Sequence, residues 1–383
     1  MPTGAGTFAD LPLAPGLAKA LHRNGLTTPF PIQSAVLADA LAGRDVLGRG
    51  RTGSGKTLAF GLPLLTLLDG KKAVSRAPLA LILAPTRELA QQVTASLTPY
   101  ASALRLRMAT VVGGLSAAAQ AQTLARGVEI VVATPGRLAD LVKAGQCRLD
   151  QVTTTVIDEA DQMSDIGFLP QVSALLDQTP RNGQRMLFSA TLDKAVDRLV
   201  RRFLTEPVTH GVDPPTGSVT TMRHHLLEVA AGDKLAIAAD IAARNPRSIM
   251  FVATKRAADR LATRLSATGL PAVALHGGRS QNQRTRALEQ FRAGTATILV
   301  ATNVAARGIH IDELDLVVNV DPPADGKDYL HRGGRTARAG RSGTVFTLVF
   351  PEQRREVHRL LTQAGIRPDF DAVTPGHPAL IPA

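Results

Sequence analysis

Short, nearly unbroken apolar runs alternate along the chain with longer stretches whose apolar residues recur at helical spacing. In the first half Leu79–Leu83, Met108–Val112, Glu129–Ala133, Thr154–Ile157 and Met186–Phe188 read as strands. In the second half Ser248–Val252, Ala272–Leu275, Thr297–Val300, Asp315–Val320 and Thr344–Phe350 read the same way. A strand that is apolar at consecutive positions is buried on both faces, the habit of parallel sheets covered by helices. Two such series predict an α/β protein of two doubly wound parallel-sheet domains in tandem, residues 1–212 and 213–383. The joint falls at Val212–Ser218, where Pro214, Pro215 and Gly217 interrupt both periods. The last stretch, Pro368–Ala383, carries prolines without a clear period and reads as a frayed end.

Composition adds limits to this frame. At 383 residues, 44% of them hydrophobic, the chain has enough material for two cores. Aromatics make up only 3% and Trp is absent, so those cores are built of Ala, Val and Leu. Cys147 is the only cysteine, which excludes an intrachain disulfide and suits a reducing compartment. No apolar run approaches the ~18 residues of a membrane span, and no signal-peptide pattern opens the chain. A soluble, cytoplasmic protein is expected. The net charge of +12 divides evenly, with 22 basic and 16 acidic residues on each side of the joint. A polyanion lying across both halves fits that balance better than one held by a basic tail.

Two motifs carry chemistry in the first half. Gly50–Thr57 satisfies G-x-x-x-x-G-K-T, follows Asp45-Val46-Leu47 and opens onto a helical stretch from Leu58 to Leu68. Strand, glycine loop and helix are the context in which backbone N–H groups converge on phosphates. Gly53, Ser54 and Gly55 belong to that cradle; Lys56 is expected to reach the β- and γ-phosphates and Thr57 to ligate Mg²⁺. Asp158-Glu159-Ala160-Asp161 follows the strand Thr154–Ile157, at the carboxyl end where α/β sheets bind ligands. Asp158 is placed to hold the Mg²⁺ shell and Glu159 to orient and deprotonate water. In the second half His331–Arg338 is arginine-rich, and Arg335 and Arg338 are three residues apart, so one helical turn would put them on one face. Arginines brought to a γ-phosphate stabilise its transferring charge.

With these motifs in this order the chain resembles the DEAD-box RNA helicases of superfamily two over nearly its whole length. Gly25–Gln33 is similar to the Q motif, with Phe8 seventeen residues upstream of it. Pro85–Ala90, Gly113-Gly114, Thr134–Arg137 and Ser189-Ala190-Thr191 surround the phosphate loop and the DEAD tetrad in family order. Phe251–Thr254, Gln281–Arg284, Ala305–Gly308 and His331–Arg338 continue it. The resemblance implies two tandem RecA-like domains and ATP as the nucleotide, with Gln33 reading the adenine edge and Phe8 stacked on the base. It implies that Thr86, Arg87, Gly114, Thr134 and Arg137, with Thr254, Gly277 and Thr302, grip an RNA backbone without reading sequence. It implies that Asp161, Ser189, Thr191 and His331 couple the halves. The partner is then single-stranded or short duplex RNA. The chain acts as a monomer, without a membrane, and a protein tether is expected to help it hold RNA.

Several positions depart from the family pattern. Phe30 stands where Thr is usual, Gly278 where Asp follows His276-Gly277, Gly333 where Ile is usual, and Asn303 and His310 where Asp is usual. The second of those Asp residues holds the ATP ribose in relatives, so His310 predicts weaker ATP-driven closure, worsening below about pH 6.5 where an unperturbed imidazole protonates. Two other readings of the same motifs remain: a DNA-acting helicase of the same superfamily, or an RNA-binding or annealing protein with weak ATPase coupling.

Overall fold

The computed structural model describes residues 6–50, 54–211, 222–245, 247–306, 314–336 and 343–381. The chain divides into two compact units, Met1–Thr216 and Gly217–Ala383. The sequence puts the joint a few residues earlier, at 212–213. That position lies in the segment 212–221, outside the described residues.

In the first unit the strands are β1 (Val46–Arg49), β2 (Ala80–Leu83), β3 (Met108–Val111), β4 (Ile130–Ala133), β5 (Thr154–Ile157), β6 (Gln184–Ser189) and β7 (Val208–Gly211). They form one seven-stranded sheet in the order β3-β4-β2-β5-β6-β1-β7, and every pairing in it is parallel. Strands β2, β4, β5 and β6 are buried at every position; β2 and β4 therefore read as unbroken apolar runs, while β5 and β6 also bury Thr154, Thr155, Gln184, Arg185 and Ser189. One face packs against the helices Pro31–Leu41, Lys56–Leu67 and Arg87–Ala103, through Leu37, Phe60, Leu64, Val93 and Leu97. The other face packs against Pro135–Lys143, Leu169–Leu176 and Lys194–Phe203, through Leu138, Val172 and Leu199. Cys147 is buried on that second face, and burial pushes its thiol up to about 11.

In the second unit the strands are β8 (Met222–Glu228), β9 (Ser248–Val252), β10 (Ala272–Leu275), β11 (Ile298–Thr302), β12 (Leu316–Asn319), β13 (Gly343–Val349) and β14 (Asp369–Ala372). Their order is β10-β11-β9-β12-β13-β8-β14, again all parallel. Shifted by seven, this is the strand order of the first sheet. The two units are one topology used twice, although their motifs differ.

Strands β7, β8 and β14 escape a reading for apolar runs. The first alternates half-buried and exposed positions, and the last is a short, mostly exposed edge. Strand β8 lies between β13 and β14 yet reads Met-Arg-His-His-Leu-Leu-Glu, with charge and imidazole where apolar residues are expected. The frayed end expected from Pro368 onward is corrected by the structure. Residues 369–372 pair with β8, and Val373 and Leu380 are buried in the second core. Gly376 N–H donates to Asp240 (2.6 Å), and Asn245 donates to the Leu380 carbonyl (3.4 Å). Two apolar residues seven apart, in a segment without a regular period, are enough to dock it.

Candidate nucleotide and RNA site

The strand order explains how the nucleotide motifs meet. Strands β5, β6 and β1 are neighbours in the first sheet, and each ends in a motif. After β1 the chain turns through Gly55, whose φ of +91° is left-handed, into the helix that starts at Lys56. The Lys56 ammonium, 5% exposed, donates to Glu159 Oε1 (2.8 Å) and the Gly50 carbonyl (2.9 Å). Burial opposes its charge, but Glu159 and Asp158 outweigh burial and raise its pKa. Glu159 itself has φ +52°, a left-handed conformation a glutamate adopts only when its surroundings hold it there. Asp158, 3% exposed, has its carboxyl pushed up to about 7, first by burial and then by the charge of Glu159.

The residues of this unit expected to couple the halves are also brought together. Asp161 is fully buried. Its Oδ2 accepts from the amide and hydroxyl of Thr191, both at 2.9 Å. Its own amide donates to Ser189 Oγ (3.1 Å), and that hydroxyl donates to the Thr191 carbonyl (2.7 Å). His331, half-buried, belongs to the second unit, on the helix Gly326–Gly333.

Two features fit a nucleotide. The Ser54 hydroxyl is buried and has no partner among the described residues, while the Gln33 amide is fixed toward the loop. Gln33 Oε1 accepts from the Phe30 amide (2.8 Å) and Nε2 donates to the Gly55 carbonyl (3.0 Å). A Cβ at Gly55 would sit 2.7 Å from Gln33 Nε2, so this approach requires glycine. Phe30 opens its helix without a side-chain acceptor and is 54% exposed beside Gln33. Phe8 is 3% exposed: its ring lies in the first core and its amide donates to Thr27 (2.9 Å). Stacking a base on Phe8 therefore requires that segment to move. For a cation, a buried Asp158 carboxyl that burial drives toward protonation is the kind of group a divalent ion stabilises.

The RNA candidates end the other three strands of that edge, β3, β4 and β2. Thr86 caps the helix Arg87–Ala103, accepting from the Leu89 amide (3.2 Å). The Arg87 guanidinium lies over Gly113-Gly114. A Cβ at Gly114, where φ is +78°, would fall 2.1 Å from Arg87 Nη1. Arg137 donates to the Leu115 carbonyl (2.9 Å), which closes the same loop from the β4 side. Thr134 opens its helix without a side-chain cap bond, so capping does not account for its hydroxyl. The second unit repeats the layout after β9, β10 and β11. Thr254 caps its helix through the Ala257 amide (3.1 Å), Gly277 follows β10, and Thr302 ends β11. His276 accepts from the Gly278 amide at Nδ1 (3.1 Å) and presents Nε2 to Asp259 (2.9 Å).

The second sheet also contains a counterpart of the Lys56–Glu159 pair. Lys234 starts the helix after β8 and donates to Asp321, just beyond β12, at 2.6 Å. Arg335 is 6% exposed, but the helix Gly326–Gly333 stops before it. Arg335 and Thr336 follow in tight turns back to Arg332 and Gly333, so the helical spacing expected for Arg335 and Arg338 is not continued at Arg335. Gly53, His310 and Arg338 lie outside the described residues.

Residues 30–199 match the DEAD/DEAH box helicase family and residues 233–340 the helicase conserved C-terminal domain. The chain is 38% identical over 357 residues to the DEAD-box ATP-dependent RNA helicase CshA of Geobacillus kaustophilus, covering 92% of this chain and 76% of that protein. The chain belongs to the DEAD-box helicase family. This DEAD-box chain is also 42% identical over 373 residues to the chloroplastic DEAD-box ATP-dependent RNA helicase 3A of Zea mays. It spans 50% of that relative's length, and the match takes in 95% of this chain. Its fold is similar to S. cerevisiae Dbp5 bound to RNA and ADP BeF3, with a TM-score of 0.85, 28% identity and 96% of each chain covered. Two tandem parallel-sheet units of the RecA-like helicase type are therefore the fold of this DEAD-box protein. No helix among its described residues is long and apolar enough to cross a membrane.

Proposed function

We propose that this chain is an RNA-stimulated ATPase that separates short RNA duplexes by holding and bending one strand. One observation carries the reading. The carboxyl edge of the first sheet is divided between the Lys56–Glu159 pair with Asp158 and Asp161 after β5, β6 and β1 and a Thr86–Arg87–Gly114–Arg137 surface after β2, β3 and β4. Hydrolysis and strand grip then act on one rigid sheet.

In this reading Ser54, Gly55 and Lys56 bind the triphosphate, with Gln33 and Phe30 beside the base. Asp158 and Thr57 would hold Mg²⁺, which when bound neutralises phosphate charge. A phosphate competes with Glu159 for Lys56, and breaking that pair frees Glu159 to take a proton from water. The second unit supplies Arg335 and Arg338 to the transferring phosphoryl group. Thr254, Gly277 and Thr302 extend the grip on the sugar-phosphate backbone. Because these are backbone contacts, binding is independent of sequence. In this reading the chain works as a cytoplasmic monomer whose RNA affinity a protein tether increases.

The deciding assay measures ATP hydrolysis with RNA, with matched DNA and with neither, alongside unwinding of a short RNA duplex. Stimulation by RNA alone is expected, since only RNA offers the 2′-hydroxyl. Equal stimulation by DNA, or RNA binding without hydrolysis, would replace this reading.

A further inference from the structure

Under the arginine-bearing segment runs a buried line of polar side chains that no part of the nucleotide or RNA site uses. Arg332, 5% exposed, donates through Nη1 to Asn319 Oδ1 on β12 (3.0 Å) and to the Asp321 carbonyl (2.9 Å). Asn319 Nδ2 donates to Thr347 Oγ1 on β13 (3.1 Å). The Thr347 hydroxyl lies beside the Tyr329 oxygen. The Tyr329 hydroxyl meets His224 Nδ1 on β8 at 2.7 Å. Asn319 and Thr347 are fully buried, Tyr329 is 1% exposed and His224 5%.

Donors are fixed at one end of this line, where the Arg332 guanidinium and the Asn319 amide group both donate. At the other end the Tyr329 hydroxyl and His224 Nδ1 share one hydrogen bond, and burial, helped by the neighbouring His225, lowers the His224 pKa to about 4, which keeps the imidazole neutral at pH 7.

Two members of the line sit on one helix. Tyr329 and Arg332 are three residues apart on Gly326–Gly333, one turn, and both point inward, while Leu330 between them is 45% exposed. A helix resting on apolar contacts alone can rotate or slide by small steps. One also hydrogen-bonded at two points, to β12 and to β8, resists both. The next residues are fixed as well, because Arg335 N–H turns back to Arg332 and the Thr336 hydroxyl donates to the Leu314 carbonyl. We propose that the line Arg332–Asn319–Thr347–Tyr329–His224 sets the position of Arg335, and that Tyr329 and Thr347 are positioning residues for ATP hydrolysis. This rests on the proposed ATPase role of Arg335.

The test is a double-mutant cycle on RNA-stimulated ATP hydrolysis, with Tyr329→Phe in the wild-type and Arg335→Lys backgrounds and Thr347→Val as a second, milder probe. Tyr329→Phe keeps the ring and removes one hydroxyl. In the wild-type background it should lower kcat about tenfold or more, leave the ATP KM within about twofold, and leave circular dichroism unchanged. In the Arg335→Lys background it should cost almost nothing, because the residue it positions has already been changed. A kcat equal to wild type, or a loss that multiplies fully in the Arg335→Lys background, overturns the inference and leaves the ATPase reading standing. Absence of RNA-stimulated hydrolysis in the wild-type control overturns both, so the two failures are told apart in one experiment.

Discussion

The carboxylate of Glu129 offers a sharp test of how the first sheet is held at the end away from its ligands. Its side chain is fully buried at the start of β4 and accepts from four donors. They are the Arg107 amide (2.7 Å), Arg107 Nη2 (2.8 Å) and Nε (3.2 Å), and the Ala73 amide (3.1 Å). Burial alone would push this acid up, but the Arg107 and Ala73 donors outweigh it and bring it from 4.5 to about 2. At about 1.36 kcal/mol per tenfold change in proton affinity, that corresponds to about 3 kcal/mol of folding stability. Arg107 is half exposed, so screening by water brings the expectation for Glu129→Gln to about 2 kcal/mol at pH 7. The folded-state pKa is the depressed one. The wild-type advantage is therefore complete above about pH 4.5 and disappears as pH falls toward 2. Urea unfolding of wild type and Glu129→Gln at pH 7, 5 and 3, followed by circular dichroism, measures the gap. Hydrogen exchange over residues 73–80 and 107–111 assigns it to the first unit. A gap below about 0.5 kcal/mol at pH 7, or one undiminished at pH 3, would refute the reasoning.

Four further outcomes are expected. Glu159→Gln should keep ATP and RNA binding, abolish turnover and leave RNA bound longer than in wild type; RNA release at the wild-type rate contradicts the assignment. Arg338→Ala should slow RNA-stimulated hydrolysis by roughly 10³–10⁵, and a rate within a few-fold of wild type removes it from catalysis. Gly114→Ala should weaken RNA binding, measured by fluorescence anisotropy, without changing ATP affinity in the absence of RNA, because a Cβ there collides with Arg87 Nη1 at 2.1 Å. Phe30→Thr should give the helix Pro31–Leu41 the side-chain cap it lacks, raising stability by about 1 kcal/mol in urea titrations, while raising the KM for ATP if the exposed ring contacts the base.

Much of this was legible before any coordinates. Buried parallel strands leave unbroken apolar runs, so β2, β5 and β9 could be read within a residue of their ends. The phosphate loop and the DEAD tetrad were legible because their chemistry demands fixed spacing. Strand β8 was hidden by His224 and His225, whose polarity argues for a surface until Tyr329 and the rest of the line are in place. That line joins residues more than a hundred positions apart, and only the strand register brings them together. The docked end at Leu380 was hidden for a related reason, since two isolated apolar residues carry no period. The pairing of Lys56 with Glu159 was also out of reach, because the motif predicts a phosphate partner and says nothing of which carboxylate the lysine meets.

The repeated strand order gives the molecule an internal control. Lys234 and Asp321 stand where Lys56 and Glu159 stand, at the start of the helix after the first strand and beyond the fifth strand, but without the glycine-rich segment. A lysine–carboxylate pair on this scaffold is thus present once beside the glycine-rich segment Gly50–Thr57 and once without such a segment. Substituting both lysines in parallel would separate what the ion pair contributes to holding a sheet edge from what the glycine-rich turn adds as chemistry, within a single polypeptide and under identical solution conditions.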